Sequence, residues 1–354
     1  MSASTIRPLC SVLLVLFAGG CARQTPPAKP ATGVIYTPHP NAVWPWPNET
    51  EEDVHRGVHR WFTDTTEDGT TLDLLRFDFI ENPKLRFELY DQDEDDAQPF
   101  DDSVDYYGNG VGAVARHLNT SGRDRLVAAW NGLFFAYGTP GGGPGVTAHH
   151  VGPVVLGGKG RYNVGNHRWT FGVSYRESRP TFDALFLPSL KESEDEFEFA
   201  ASGAQLLVRA GKPMQIRSGP DSEESAGAIA VVDDMRTSRV SMAWSKDSRY
   251  LYLLFVNEPD TETASKLQVR HGETPTGGFA LRDLQRFWIA FGAWGAINSD
   301  GGAVAQMVYR RGDGKYEMLP PRLVAGNQRL VFDDKFEGAP EGGTLMTFFV
   351  TERP

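Results

Sequence analysis

Cysteine is almost missing from this chain of 354 residues: there are two, Cys10 and Cys21, and none follows. That excludes a disulfide-stapled fold, a thiolate metal centre and a cysteine nucleophile for residues 22–354. Long hydrophobic runs are missing too. The apolar stretch from Leu9 to Ala18 is about ten residues, half of the roughly 20 that cross a hydrocarbon core. Positive charge is in deficit, with Lys+Arg 35 against Asp+Glu 46 and a net charge of −11. This argues against nucleic acid as the main partner and against simple adhesion to anionic lipid. No repeat of 20–50 residues is visible, and no G-x-S-x-G elbow.

What is present is globular in kind. Hydrophobic residues make up 40% and charged residues 23%, which excludes wholesale disorder. Gly 38 and Pro 23 point to a turn-rich, β-rich protein. The length suits one large domain or two ordinary ones.

At the N-terminus, Arg7, the apolar run and the small residues Ala18, Gly19 and Gly20 have the layout of a signal peptide. A buried core helix is the plainer alternative, but the run has no polar face. The sequence Ala-Gly-Gly-Cys resembles a bacterial lipobox. This resemblance implies that Cys21 becomes the lipidated first residue and a membrane anchor. Ala22, rather than Asp, gives no inner-membrane retention signal. We therefore expect a lipoprotein of the bacterial cell envelope, at the outer membrane and facing the periplasm. Residues 1–20 read as signal peptide and 21–57 as a Pro-rich tether on which Trp44 and Trp46 dock. Residues 58–354 read as one domain.

The domain reads as α+β, a mostly antiparallel mixed sheet with one or two helices packed on it. The clearest hairpin is at 239–258. Val240, Met242 and Trp244 alternate with Arg239, Ser241 and Ala243, and a continuously apolar strand returns after the turn at 246–249. The clearest helix is 280–292, with Leu284, Phe287, Trp288 and Phe291 on one face and Gly292 as its stop. A softer helix is expected over 103–118, capped by Asp102 or Ser103 and weakened by Gly108, Gly110 and Gly112. Further strands are expected at 70–79, 85–91, 125–135, 169–175, 181–187, 204–214, 295–300, 303–310 and 344–352. Acidic linkers are expected at 91–102 and in the Lys191–Glu198 stretch.

Several motifs have plainer readings. His55 and His59 have the spacing of two ligands on one helix face, but Gly57 lies between them; surface histidines fit better. Asp91-x-Asp93-x-Asp95 begins like a calcium loop, yet Asp96 stands where glycine is needed. The glycines at 141–145 lack the Lys-Ser/Thr of a phosphate loop. Two spots survive: Asn131-Gly132 at a strand end, and Asn298-Ser299-Asp300-Gly301-Gly302 after a buried strand. Both can also be plain turns.

Taken in order, the pieces resemble the phosphodiester glycosidase family over about residues 70–310. They are Asp78 at a strand end, Asn131-Gly132-Leu133-Phe134-Phe135 and the 202–212 segment from Ser202-Gly203 to Gly211-Lys212. Then come Arg239 to Ala243, Asn257-Glu258-Pro259, the helix start at 278–284 and Asn298 to Gly302. Leu133, Asn257-Glu258-Pro259 and Ala303-Val304 depart from the family pattern.

The resemblance implies hydrolysis of a sugar-1-phosphodiester at the anomeric carbon. The substrate expected is a glycan phosphodiester, such as GlcNAc-1-phosphate on a glycan or envelope polymer. For that chemistry Asp300 is the first choice of catalytic carboxylate and Glu258 the second, Arg239 the phosphate partner, and Asn131, Asn298, Gly132 and Gly301 the substrate-binding positions. A divalent cation, Ca²⁺ or Mg²⁺, on Asp300 and Glu258 is compatible with it. A second reading is a glycan-binding envelope lipoprotein that keeps the fold and has lost turnover, since Gly-Ser is replaced after Asp300.

Overall fold

The alternating segment forms the strand Arg239–Trp244, and Tyr250–Asn257 returns antiparallel beside it, Arg239 facing Val256 and Trp244 facing Leu251. The computed structural model describes residues 50–63, 70–95, 104–106, 109–121, 124–137, 146–161, 169–216, 222–227, 236–259, 277–321, 328–340 and 342–354. The Trp44 and Trp46 docking, the glycine segment 141–145 and the N-terminal 49 residues lie outside these.

The hairpin sits at the centre of a large sheet. From one edge its strands are Thr50–His55, Val58–Thr63, Thr71–Asp78, Tyr250–Asn257, Arg239–Trp244, Gly295–Asn298, Phe199–Arg209, Trp169–Arg176 and Arg179–Phe186. A second sheet runs Leu330–Phe332, Tyr316–Leu319, Met307–Arg310, Arg125–Asn131, Met346–Glu352 and Leu85–Asp91. Neighbours in both sheets are antiparallel, as the sequence implied.

The two sheets meet through an aromatic layer. Phe87, Trp130 and Phe348 of the second sheet contact Phe77, Phe171 and Phe182 of the first, with ring centroids 5.7–6.0 Å apart. Trp130 Nε1 donates to Met242 Sδ across the interface at 3.1 Å. Full burial of each such ring contributes roughly 1.5–3 kcal/mol. A helix covers each outer face. Leu281–Phe291 packs on the first sheet, with Trp288 Nε1 donating to Ser241 Oγ at 2.7 Å and Gln285 Nε2 donating to Leu207 O at 2.8 Å. Val111–Ser121 covers the second, Val111, Val114 and Ala115 clustering with Ala129, Val308 and Met318. Both faces of the central strands are therefore apolar, which explains why Tyr250–Asn257 reads as a continuous hydrophobic run.

Four expectations change. The helix expected over 103–118 starts at Val111, and Val104–Tyr106 is a strand. Gly110 O accepts the first helical N–H bonds, and a Cβ there would stand 2.9 Å from both Gln306 Oε1 and Pro340 O, so glycine marks the start rather than weakening the middle. The acidic stretch after Ser189 is a short helix, Leu190–Glu196, held by a capping box between Ser189 and Glu192. Thr50–His55, assigned to the tether, pairs with Val58–Thr63 as the edge strand. The strand expected over 295–300 ends at Asn298, and residues 302–304 form a single 3-10 turn before Met307–Arg310.

Candidate active site

Strand ends build the site. Antiparallel pairing brings the start of Arg239–Trp244 beside the ends of Tyr250–Asn257 and Gly295–Asn298. Beyond Asn298 the chain continues along the same neighbour: Ser299 N donates to Val240 O at 2.9 Å and Gly302 N to Ser238 O at 2.8 Å. Gly301 fits closely there, since a Cβ on it would stand 3.3 Å from Arg239 Cα. The second sheet joins at this point. Asp300 N donates to Gly132 O at 3.0 Å, while Gly132 N donates to Met346 O at 2.8 Å. Asp300 and Glu258 both reach solvent in part.

Ser238 places Glu258. Its hydroxyl donates to Asn257 Oδ1 and accepts from Glu258 N, each at 3.1 Å. The Arg239 side chain is only 7% exposed and donates through Nε to Phe279 O at 3.1 Å. Burial pushes its guanidinium down to about 10, and the Glu258 charge opposes that fall. Arg239 thus stays cationic at neutral pH inside a protein wall, with Glu258 as the nearby negative charge.

The structure brings together Asp300, Gly301, Arg239, Glu258 and Gly132. The two asparagines lie beside these residues and are buried. Asn131 is fully buried; its Nδ2 donates to Val304 O at 3.2 Å and its Oδ1 accepts from Gln306 N at 2.6 Å. These two bonds fasten the chain just after Asp300. Asn298 is also fully buried and donates to Gln205 Oε1 at 2.9 Å. Among the described residues, its Oδ1 and the neighbouring Ser299 Oγ have no hydrogen-bond partner, although both atoms are buried. Such orphaned atoms beside a partly exposed carboxylate are costly and are typical of functional sites.

Two contributors had been given no role from the sequence. Gly203 adopts φ +110, and a Cβ on it would stand 2.5 Å from Phe134 O, so its bareness lets the 131–135 turn dock. Ser238 was overlooked although the hairpin register alone sets it opposite Asn257. The other motifs fall elsewhere. His55 and His59 lie on the two strands of a hairpin, not on a helix, and face Glu352 and Asp53. Asp91 is buried against His150, Nε2 to Oδ2 at 2.8 Å. Among the described residues, no group of three or more His, Cys, Asp and Glu side chains is arranged to hold a metal ion.

A family model described as phosphodiester glycosidase matches residues 124–332. Among solved structures, the fold is similar to a hypothetical protein from Synechocystis, 12% identical with a TM-score of 0.52, over 87% of this chain and 64% of that one. It is also similar to the catalytic domain of zebrafish N-acetylglucosamine-1-phosphodiester alpha-N-acetylglucosaminidase, described as auto-inhibited by its pro-peptide. That match is 17% identical with a TM-score of 0.49, over 90% of this chain and 86% of the other. At these identities the likeness concerns the fold alone. No curated protein sequence matches.

Proposed function

The chain belongs to the phosphodiester glycosidase family, and from that premise we propose that it hydrolyses a sugar-1-phosphodiester at the anomeric carbon. The substrate we favour is GlcNAc-1-phosphate, or a similar sugar phosphate, linked to a glycan or envelope polymer. Water adds to the anomeric carbon, the bond from that carbon to the phosphate oxygen breaks, and a free sugar and a phosphomonoester leave. The transition state carries oxocarbenium character, which a carboxylate facing the anomeric carbon stabilises. Asp300 takes this part. Glu258 is the second carboxylate and moves the proton of the incoming water. Arg239 binds the phosphate, whose negative charge its buried guanidinium offsets. A phosphate already leaves well, so the reaction leans more on that cation than on a strong general acid. Asn131 holds the Asp300 segment in place.

One observation carries the reading: the Asp300 N–H bond to Gly132 O draws the ends of both sheets together beside Arg239 and Glu258. We also propose that the chain works from the cell envelope, lipid-anchored at Cys21 and facing the periplasm.

The test is release of free sugar from a nitrophenyl phosphodiester of GlcNAc-1-phosphate by the full-length protein, with and without Ca²⁺ or Mg²⁺. The expected result is turnover that Asp300→Asn lowers by roughly 1,000-fold, the scale of a lost electrostatic stabiliser. Turnover unchanged in Asp300→Asn would refute the assignment. Binding without turnover would support the glycan-binding reading instead.

A further inference from the structure

The outer face of the first sheet carries a second group of side chains that the glycosidase reading leaves unused. Arg76 lies in register with His59 on one neighbouring strand and with Tyr252 on the other. Its guanidinium carbon stands 5.1 Å from the Trp61 ring centre and 5.2 Å from that of Tyr250. His59 stacks on Trp61 at 6.2 Å, and the Arg249 guanidinium covers Tyr250 at 4.8 Å. His59, Trp61, Arg76 and Tyr250 all reach solvent in part.

Arg76 is the unusual member. Among the described residues no carboxylate pairs with it and nothing accepts a hydrogen bond from it, its Nε being buried without an acceptor. The neighbouring acids are committed elsewhere. Both Asp78 oxygens accept from Arg249, and Asp78 also accepts from the backbone of Ile80 and Glu81. Asp53 and Glu81 flank His59. Aromatic contact holds a guanidinium by its faces and leaves the N–H donors on its rim unspent. A fixed, half-buried cation with unspent donors is complementary to an anion, and planar guanidinium suits phosphate, sulfate or carboxylate oxygens in pairs.

We infer that this face is a second binding site, for an anionic saccharide. Arg76 takes the anionic substituent, and the solvent-reaching edges of Trp61 and Tyr250 border the adjoining sugar rings. The saccharide part of the inference rests on the proposed glycosidase function; the anion part rests on Arg76. Tyr250 and Asn257 are the two ends of one strand, about 23 Å apart at roughly 3.3 Å per residue. The face is therefore separate from the site around Asp300, and a small substrate does not reach both.

The experiment is affinity electrophoresis of the full-length protein through dextran sulfate and through neutral dextran, with inorganic phosphate as competitor. Wild type and Asp300→Asn should both be retarded by dextran sulfate and not by dextran. Arg76→Gln should weaken that retardation at least tenfold, Trp61→Ala should weaken it, and Arg76→Lys should restore part of it. All three variants should still hydrolyse the small phosphodiester at the wild-type rate. A failed hydrolysis assay with retardation intact would count against the glycosidase and not against this site. Equal retardation of wild type and Arg76→Gln overturns the inference, as does tighter, Arg76-dependent binding of single-stranded oligothymidylate, which would assign the face to nucleic acid.

Discussion

Replacing Arg239 by methionine should abolish turnover and stabilise the fold. Burial lowers the guanidinium from its ordinary 12.5 to about 10, which corresponds to about 3 kcal/mol held against the charged form in the folded chain. Methionine fills most of the same volume without that cost. It also gives up the Nε hydrogen bond to Phe279 O and the residue's other contacts, a loss of about 1–2 kcal/mol. Glu258 loses a positive neighbour but still reaches solvent, so little is added on its account. The remainder is a gain of about 1–2 kcal/mol, or about 2–3 °C in Tm for a domain of this size. The sign with pH is also fixed. The lowered value still lies far above neutrality, so Arg239 is charged in both the folded and unfolded chain, and the gain should be the same at pH 6 and pH 8. Thermal denaturation followed by circular dichroism at both values, beside sugar release, checks this. A variant that melts lower than wild type and still turns over would show that Arg239 serves packing, and the phosphate assignment would fall with it.

Three other outcomes are expected. Gly203→Ala meets both the left-handed backbone at φ +110 and the Phe134 carbonyl; it should cost roughly 2–3 kcal/mol in urea denaturation and lower turnover by displacing the 131–135 turn. Asp73→Asn removes a buried charge shared by two cations, Arg60 at 2.6 Å and Arg329 at 2.7 Å; Arg60 keeps Glu52 and Arg329 keeps Glu317. The loss should be about 1–3 kcal/mol, that of hydrogen bonds to charged groups, and a urea midpoint near that of wild type would show the network contributes little. Cys21→Ser should abolish incorporation of labelled palmitate and move the protein from the membrane to the soluble fraction; incorporation unchanged in the variant would remove the lipid anchor at Cys21.

The elements that could be read from the chain are those whose neighbours in space are neighbours in sequence. Arg239–Trp244 and Tyr250–Asn257 face each other across a short turn, so alternation and turn chemistry together define them. The helix Leu281–Phe291 carries its own stop, Gly292 at φ 84, and its own apolar face. The 190–196 helix is polar and short, and the only local signal was the pair Ser189 and Glu192, which caps it. The edge strand Thr50–His55 follows a proline-rich stretch that argues for a tether; pairing with Val58–Thr63 overrides that local preference. The division into two sheets was not legible at all. Leu85–Asp91 pairs with Met346–Glu352, and no periodicity reports a partner some 260 positions away.

The site divides along the same line. Asp300, Arg239 and Glu258 were singled out because each lies at or just beyond a strand end, where a polar residue cannot serve the core. Asn131 meets the same criterion and has a different use. It sits at a strand end, yet its amide is filled by Val304 O and Gln306 N. Sequence position shows that a polar group faces a strand end; it does not show whether a neighbouring backbone has already claimed its hydrogen bonds. Asp300 differs in degree: its backbone N–H goes to Gly132 and its Oδ1 accepts from Gly301 N at 2.9 Å, yet the residue still reaches solvent in part. This separation of tasks has a consequence for mutagenesis. Asn131→Asp keeps the size but replaces the Nδ2 donor to Val304 O by an acceptor, so a buried carbonyl meets a carboxylate. It should destabilise the 302–306 segment by about 1–3 kcal/mol and depress kcat by shifting Asp300, with KM nearly unchanged. A pure KM effect in Asn131→Asp would return Asn131 to the sugar, and the positioning argument would be wrong.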